Sequence, residues 1–570
     1  MKLETFSFPD PKTENINERF VQRFFEMLPG ICTWSILIGT IVLSFFLPVW
    51  VAVFVIAFDI YWVYKSFFVS SYTLAAYRRL RQGLSIHWDV LLLDIDTLKD
   101  SLERRKKVLL KECLGKNVWY EKFFQKRSKK YRIQKNEIAL LENITLPQEK
   151  IMRRSDIIQV IMFPTATEGP EIIEPAIEAI KASSFPNNQI IILLATEGNE
   201  NEEKREYKVR VLKEKFRDTF LDFLVTTHEV KSDEMKCKAS NATYAVKQLR
   251  IYLDAKSIEY TRVILSNFDC DTVCHPQYLS ALAFLYATEE NRLRFAYQPL
   301  PMYNNNIWDT NAFVRVVVFN STFWHMFQST RSHMVTFSSH SEPLDTIIRL
   351  NYWPVNMISE DSIIYWKGFS RFHSEYRTKI VPLPVSMDAA LANTYWETLL
   401  NQYKQLRRWA YGAENIPVVM RALLPDKKIS FFRKMQVLFE LLEGHVLWAI
   451  APIILGFVGW MPLLFGGAEF KEGVLAHNLP FITSYLMTIA MAGLLIIAGM
   501  NFLLLPPKPK RYSRWRYVNL TLQWFLVPIM APFIIALPAI DAQTRLLFGK
   551  YFGSFWVTEK IRKTDRGVKM

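Results

Sequence analysis

"YTRVILSNFDCD", residues 260–271, is an apolar run that ends in two aspartates one residue apart. The run is too short for a helix of ordinary length, and it reads as a strand buried on both faces. Similar runs precede it. "DIIQVIMFPT" (156–165), "NNQIIILLATEG" (187–198) and "FLDFLVTT" (220–227) alternate with the helical patterns "EIIEPAIEAIKASSF" (171–185), "EEKREYKVRVLKEKFRD" (202–218) and "ASNATYAVKQLRIYL" (239–253). Apolar strands alternating with amphipathic helices predict an α/β domain with a Rossmann-like, mostly parallel sheet over 155–425. Ligands in such sheets bind off the carboxyl ends of the strands, where the two aspartates lie.

The flanks are of a different kind. The chain has 570 residues, 50% hydrophobic and 14% aromatic, with a net charge of +15. Residues 29–71 hold two stretches of membrane-spanning length broken at "LPVW" (47–50), and further spans are expected near 441–463, 479–504 and 517–540. The third of these carries three prolines, so a broken or re-entrant segment is an alternative to a simple crossing. Basic clusters "YRRLRQ" (77–82) and "KPKRYSRWRY" (508–517) abut the apolar stretches, which points to anionic headgroups on the cytoplasmic side rather than to nucleic acid. No nucleic-acid motif is present. Five cysteines without regular spacing build no disulfide framework. Residues 1–28 have no signal-peptide pattern and read as a cytosolic N-terminus; 72–154 read as a helical cytosolic connector, 426–540 as an interfacial helix and spans, and 541–570 as a basic cytosolic tail. Five full crossings would put that tail outside, whereas its charge argues inside.

Asp269 and Asp271 point the same way if the segment is extended, and two aligned carboxylates repel unless a cation lies between them. A hard ion, Mg²⁺ or Mn²⁺, takes one or two carboxylates plus substrate phosphates. A solvated turn is the alternative. Cys270, Cys274 and His275 lack the spacing of a zinc site. "MISED" (357–361) supplies a second acidic pair, read either as a helix N-terminus capped by Ser359 or as a general base for a hydroxyl nucleophile. In "NQYKQLRRWAYG" (401–412), Gln405, Arg408 and Trp409 share a helical face, fit either for interfacial anchoring or for holding a sugar and a diphosphate. "FSSHSEPLD" (337–345) and "YNNNIW" (303–308) carry His340 and Trp308, which could face sugars or serve as loop material.

The series D-C-D, E-D and Q-L-R-R-W, in this order, resembles the D-x-D, (T/S)ED and Q-x-x-R-W motifs of membrane-embedded family 2 glycosyltransferases, the relatives of cellulose, hyaluronan and chitin synthases. The resemblance implies a GT-A-like catalytic domain next to transmembrane helices. It implies a nucleotide-sugar donor (a UDP- or GDP-sugar), a glycan or lipid acceptor, and Mg²⁺ or Mn²⁺. Transfer would invert the sugar and take place at a bacterial inner membrane, with the catalytic domain cytoplasmic and polysaccharide as a possible product. The alternatives are single-sugar transfer to a lipid and a non-catalytic nucleotide-sugar-binding transport or scaffold subunit. By the same resemblance Asp361 is the base, Asp269 and Asp271 contact diphosphate and metal, and Gln405, Arg408 and Trp409 lie under acceptor and diphosphate. Pro164, Thr165 and Glu168 of "FPTATEG" (163–169), with Lys238 and Asn241 of "KASNA" (238–242), contact the donor. The second strand ends in Glu197 where relatives have Asp, which opens the choice of base. "FWVTEK" (555–560) resembles an F-x-V-T-x-K gating loop, through Phe555, Val557, Thr558 and Lys560.

Overall fold

A computed structural model describes residues 6–114, 128–553, 558, 560 and 561. Its centre is an eight-stranded sheet of order β3-β2-β1-β4-β7-β6-β8-β5. The strands are β1 (Ile158–Pro164), β2 (Ile190–Glu197), β3 (Asp222–His228), β4 (Val263–Asn267), β5 (Val273–Cys274), β6 (Phe295–Met302), β7 (Ser341–Pro343) and β8 (Arg377–Ser386). The first four pair in parallel, at the four runs that open the sequence reading. Every residue of β2 is buried, because helices cover both faces of the sheet. On one face Ile161, Phe163, Ile192 and Leu194 pack with Ile173 and Ile177. On the other, Val160, Met162, Ile191 and Leu193 pack with Ala242, Val246 and Leu249.

The second half of the sheet is mixed. β7 runs antiparallel between β4 and β6, and β8 pairs parallel with β6 and antiparallel with β5. Both long strands carry a Pro-x-Pro, in "FAYQPLPM" and "RTKIVPLPVS". Proline cannot donate to a ladder and normally argues against a strand interior. Here the register shifts between Gln298 and Leu300, which leaves Pro299 in the irregularity.

Among the described residues, five helical segments are long and apolar enough to cross a membrane: Ile16–Phe46, Pro48–Gly83, Phe431–Gly456, Val474–Leu504 and Trp515–Leu547. The first begins at Ile16, capped by the Asn15 side chain, and so takes in much of the segment expected as a separate N-terminus. Leu47 separates the first two, and Pro48 occupies the first turn of the second, where its missing N–H costs nothing.

Polar ties place the helix ends. At one end of the bundle Phe45 stacks on Phe465. At the other, Arg421 bonds Asp10 O and Gln22, Arg79 bonds Ser329 O, and Lys434 bonds Leu424 O. The Trp515–Leu547 segment is tied to this second end at both of its own ends. Arg516 donates to Trp308 O and Thr310 O, Arg407 pairs with Asp541 at 2.9 Å, and Arg23 donates to Leu546 O and Leu547 O. The segment therefore starts and finishes on the side of the sheet domain. Pro528, Pro532 and Pro538 break its regular turns. One side of it, with Trp515, Leu522, Phe525, Ile529 and Phe533, is exposed. Both ends of the fifth segment thus contact the same end of the bundle.

Candidate active site

Asp269 follows β4 directly, at the carboxyl end of the parallel strands. Glu360 and Asp361 open the helix Glu360–Arg371, where the N-terminal dipole favours negative charge. Ser359 does not cap that helix with its side chain. Its hydroxyl bonds Glu414 and Asn415 instead, and Glu414 also accepts from the Ile358 and Ser359 amides. Glu414, absent from the sequence reading, thus anchors the acidic pair to the chain that follows "QLRRW". Burial pushes its carboxyl up to about 7.

The ammonium of Lys238, at the start of the helix Lys238–Ala255, joins these carboxylates. Its Nζ lies 2.7 Å from Asp269 Oδ1 and 3.4 Å from both Glu360 Oε1 and Asp361 Oδ1. Burial opposes the charge on Lys238, but the three carboxylates outweigh it and raise its pKa. Burial likewise raises Asp269, and Lys238, Lys560 and the Ser338 hydroxyl overcome it, so that this carboxyl sits below the usual range. Burial first and Asp361 second push Glu360 up. Arg408, on the helix Tyr395–Ala410, lies in the field of Glu360, Asp269 and Asp361, though burial still lowers its pKa.

The fate of the two aspartates differs. The Asp269 side chain is 28% exposed, and its oxygens accept from Lys238 and from Ser338 Oγ at 2.6 Å. Asp271 is 1% exposed; Oδ1 accepts from Lys560 at 2.7 Å and Oδ2 from the Asp388 amide at 2.5 Å. Lys560 is brought there by the tail, which pairs with Leu391 in a parallel bridge. Phe555 and Val557 lie outside the described residues. Thr558 is buried.

The donor set is suited to a divalent ion that arrives with phosphate oxygens. Among the described residues no three His, Cys, Asp or Glu side chains form a metal cage, and Mg²⁺ and Mn²⁺ do not need one when a substrate supplies oxygens. Each Asp269 oxygen accepts one hydrogen bond and keeps a lone pair. Asp271 is sealed from solvent, with Lys560 on Oδ1, so an ion would reach it most readily with Lys560 displaced. Cys270 and Cys274 are buried, with their thiols pushed up by desolvation.

The remaining candidates divide into those at the cleft and those that shape it. Asn241 Nδ2 donates to Ala195 O at 2.9 Å and to Thr165 O at 3.4 Å, and so ties the ends of β1 and β2 together. Glu168 closes the turn after Pro164 by accepting from the Ala166 and Thr167 amides. The Thr165 hydroxyl accepts from the buried Lys208. Glu197 ends β2 buried, 3.7 Å from His228 Nδ1, while His228 Nε2 shares a hydrogen with Glu234 at 2.8 Å. Burial lowers His228, but the two carboxylates prevail and raise it. Gln405 is buried and accepts from Gln402. The Trp409 ring lies 5.9 Å from that of Tyr303, and Tyr303 is in the field of Asp269, Asp271, Asp361 and Arg408. Within "YNNNIW" it is therefore Tyr303 that reaches the cleft. Asn305 bonds Asp271 O, Asn306 bonds Ala389 O, and Trp308 bonds Pro506 O.

No family model matches the chain, and no curated protein matches it. Among solved structures it is similar to the mannosyltransferase PcManGT from Pyrobaculum calidifontis in complex with GDP-Man and Mn²⁺. That likeness has 14% identity and a TM-score of 0.36, and covers 59% of this chain and 86% of that one. S. aureus TarS 1-349 in complex with UDP-GlcNAc follows at 9% identity and a TM-score of 0.31, over 70% and 93% of the two chains. GalNAc-T7 with UDP, GalNAc and Mn²⁺ is similar at 10% identity and a TM-score of 0.27; 53% of this chain covers 58% of that one. At such TM-scores the likeness assigns no substrate, and the chemistry rests on the cleft itself.

Proposed function

We propose that this protein is a membrane glycosyltransferase of GT-A-like fold. It moves a sugar from a UDP- or GDP-sugar to an acceptor hydroxyl at the bilayer surface. The observation that carries the reading is the meeting of Asp269 and Asp361 around Lys238, with Arg408 in the field of both carboxylates, from stretches of chain far apart in sequence. Cations beside an accessible carboxylate suit a diphosphate, and a carboxylate beside them suits removal of a proton.

In the proposed step the acceptor hydroxyl attacks C1 of the sugar. The new C1–O bond forms as the bond to the diphosphate oxygen breaks, and Asp361 takes the hydroxyl proton. Direct displacement inverts the anomeric centre. Lys238 and Arg408 balance the charge that grows on the leaving diphosphate. Trp409 and Tyr303 offer ring faces to the acceptor end. A divalent ion held by Asp269, and by Asp271 when Lys560 moves, would supply further charge neutralisation to the leaving group. Thr165, Glu197 and His228 border the place for the nucleoside.

The sheet domain is assigned to the cytoplasmic side of a bacterial inner membrane. Arg78, Arg79, Arg81, Lys510 and Arg514 cluster at that end of the helices, which supports the orientation.

The test offers membranes containing the protein a panel of UDP- and GDP-sugars with Mg²⁺ or Mn²⁺, and sizes the products. Long products without added lipid mean polymer synthesis. One sugar added to a lipid means single transfer. Donor binding without turnover for every donor means a non-catalytic subunit and overturns the proposal.

A further inference from the structure

The turn "TFSSHS", 336–341, touches both sets of carboxylates. Thr336 Oγ1 donates to the backbone oxygen of Asp361 at 2.5 Å. Ser338 Oγ donates to Asp269 Oδ2 at 2.6 Å. Ser339 Oγ and Thr272 Oγ1 share a hydrogen at 2.8 Å, one residue past Asp271. His340 Nδ1 lies 2.9 Å from Phe337 O and 3.6 Å from Asp361 Oδ1. The turn is stitched to β4 through the Asn267 amide on His340 O and through Ser266 on Ser341.

Two details show that the shape of the turn is imposed. Ser339 has φ +65° and is fully buried. A non-glycine residue in the left-handed region is strained, and it persists where surrounding bonds over-determine it. The carbonyl beside His340 Nδ1 also settles the tautomer, because a carbonyl only accepts. The proton sits on Nδ1 and the lone pair on Nε2. Burial lowers the His340 pKa, which leaves the ring neutral near pH 7. The Nδ1–H is given to Phe337 O, and Asp361 Oδ1 lies 3.6 Å from the same nitrogen, beside the N–H of the ring without a hydrogen bond to it.

We propose that the 336–341 turn is a yoke that sets the spacing between the donor-side carboxylate Asp269 and the acceptor-side base Asp361, with His340 as the positioning residue for Asp361 and Ser338 as that for Asp269. The proposal rests on the glycosyl-transfer reading above and adds to it a division of labour. His340 acts on the proton-accepting step, and Ser338 on the donor. The other charged or titratable groups facing Asp361 are Lys238, Glu360 on its own helix, Arg408, Asp269 and Tyr303. All of them remain in a His340 variant, so a change in the pH profile is assignable to the ring.

The experiment compares two amides of different reach. In H340N the side-chain nitrogen falls close to the place of Nδ1, and in H340Q close to that of Nε2. Rates against pH are measured on the membrane-embedded protein, with the donor that the wild type uses. H340Q is expected to lose roughly tenfold in kcat with the donor KM within about twofold. The acid limb of its kcat/KM profile should move up by about half a pH unit, because the ionised base has lost a facing N–H. H340N is expected to recover most of both. S338A is expected to raise the donor KM by about fivefold and leave the acid limb in place. Equal losses in H340N and H340Q with an unmoved acid limb mean that His340 only packs, and overturn the yoke while the transfer reading stands. A wild type that transfers from no donor overturns the transfer reading and the yoke with it. A His340 variant that misfolds is recognised by its thermal midpoint, and S338A against the wild type then decides: a donor KM that does not rise overturns the yoke.

Discussion

The two halves of the sheet are built on opposite principles. β3, β2, β1 and β4 are parallel and largely apolar, dry in β1, β2 and β4 and only half-buried in β3, and the groups proposed for the donor stand at their carboxyl ends. β7, β6, β8 and β5 are mixed in direction, interrupted by prolines, and bordered by the polar turn and the helix that carries Asp361. The regular half is held mainly by apolar packing, to which Tyr297, Val381 and Leu383 of the other half contribute. The irregular half is held by specific hydrogen bonds, and its groups reach the donor side through Lys238, the 336–341 turn, and the bonds of Asn305 and Asp388 to Asp271. The contrast is between a scaffold set by apolar packing, beside the proposed donor groups, and one set by specific polar bonds, beside the proposed base.

The largest expected break in this division is D361N. Loss of the proposed base should lower kcat by about 10³-fold, with donor binding by titration calorimetry within about twofold. Equal loss of donor binding would erase the distinction between the halves. Next is I192A in the dry half. Ile192 is fully buried, and the cavity should cost about 3 kcal/mol of stability, read as a lower thermal midpoint, without a change in kcat/KM for the protein that stays folded.

K560M probes the tail. Lys560 is raised by Asp271 and Asp269 against the effect of burial. Its removal should weaken the donor roughly tenfold and leave kcat nearly unchanged. Tighter binding of Mn²⁺ or donor would instead assign Lys560 to blocking Asp271.

The smallest effect sits in the mixed half. Burial pushes Glu342 in β7 up to about 8. A carboxyl whose pKa is higher in the fold than in the unfolded chain stabilises most below the unfolded value, near 4.3. Its contribution is lost as pH rises towards 8. The thermal midpoint should therefore fall across that window, and E342Q should flatten the slope. An unchanged slope would mean that other groups carry it.

The parallel half was legible because each of its strands is a continuous apolar run followed by a turn. β6 and β8 were not, since Pro299, Pro301, Pro382 and Pro384 are poor evidence for strands and only their partners make them so. Asp269, Asp361 and Arg408 could be singled out by residue type and order. Glu414, Tyr303 and His228 could not, because nothing local distinguishes them from buried or loop residues, and their value lies in what comes within a few ångströms of them.

From the order of residues alone come the alternation of strands and helices, the apolar stretches of spanning length, and the acidic and basic groups available for chemistry. These follow from local periodicity and composition, which need no knowledge of distant neighbours. The return of Trp515–Leu547 to the side of the sheet, the sealing of Asp271 by Lys560 and the tie between Asp269 and Asp361 required the folded chain. Each is a contact between residues far apart in sequence, and burial and charge act across space whatever the separation along the chain.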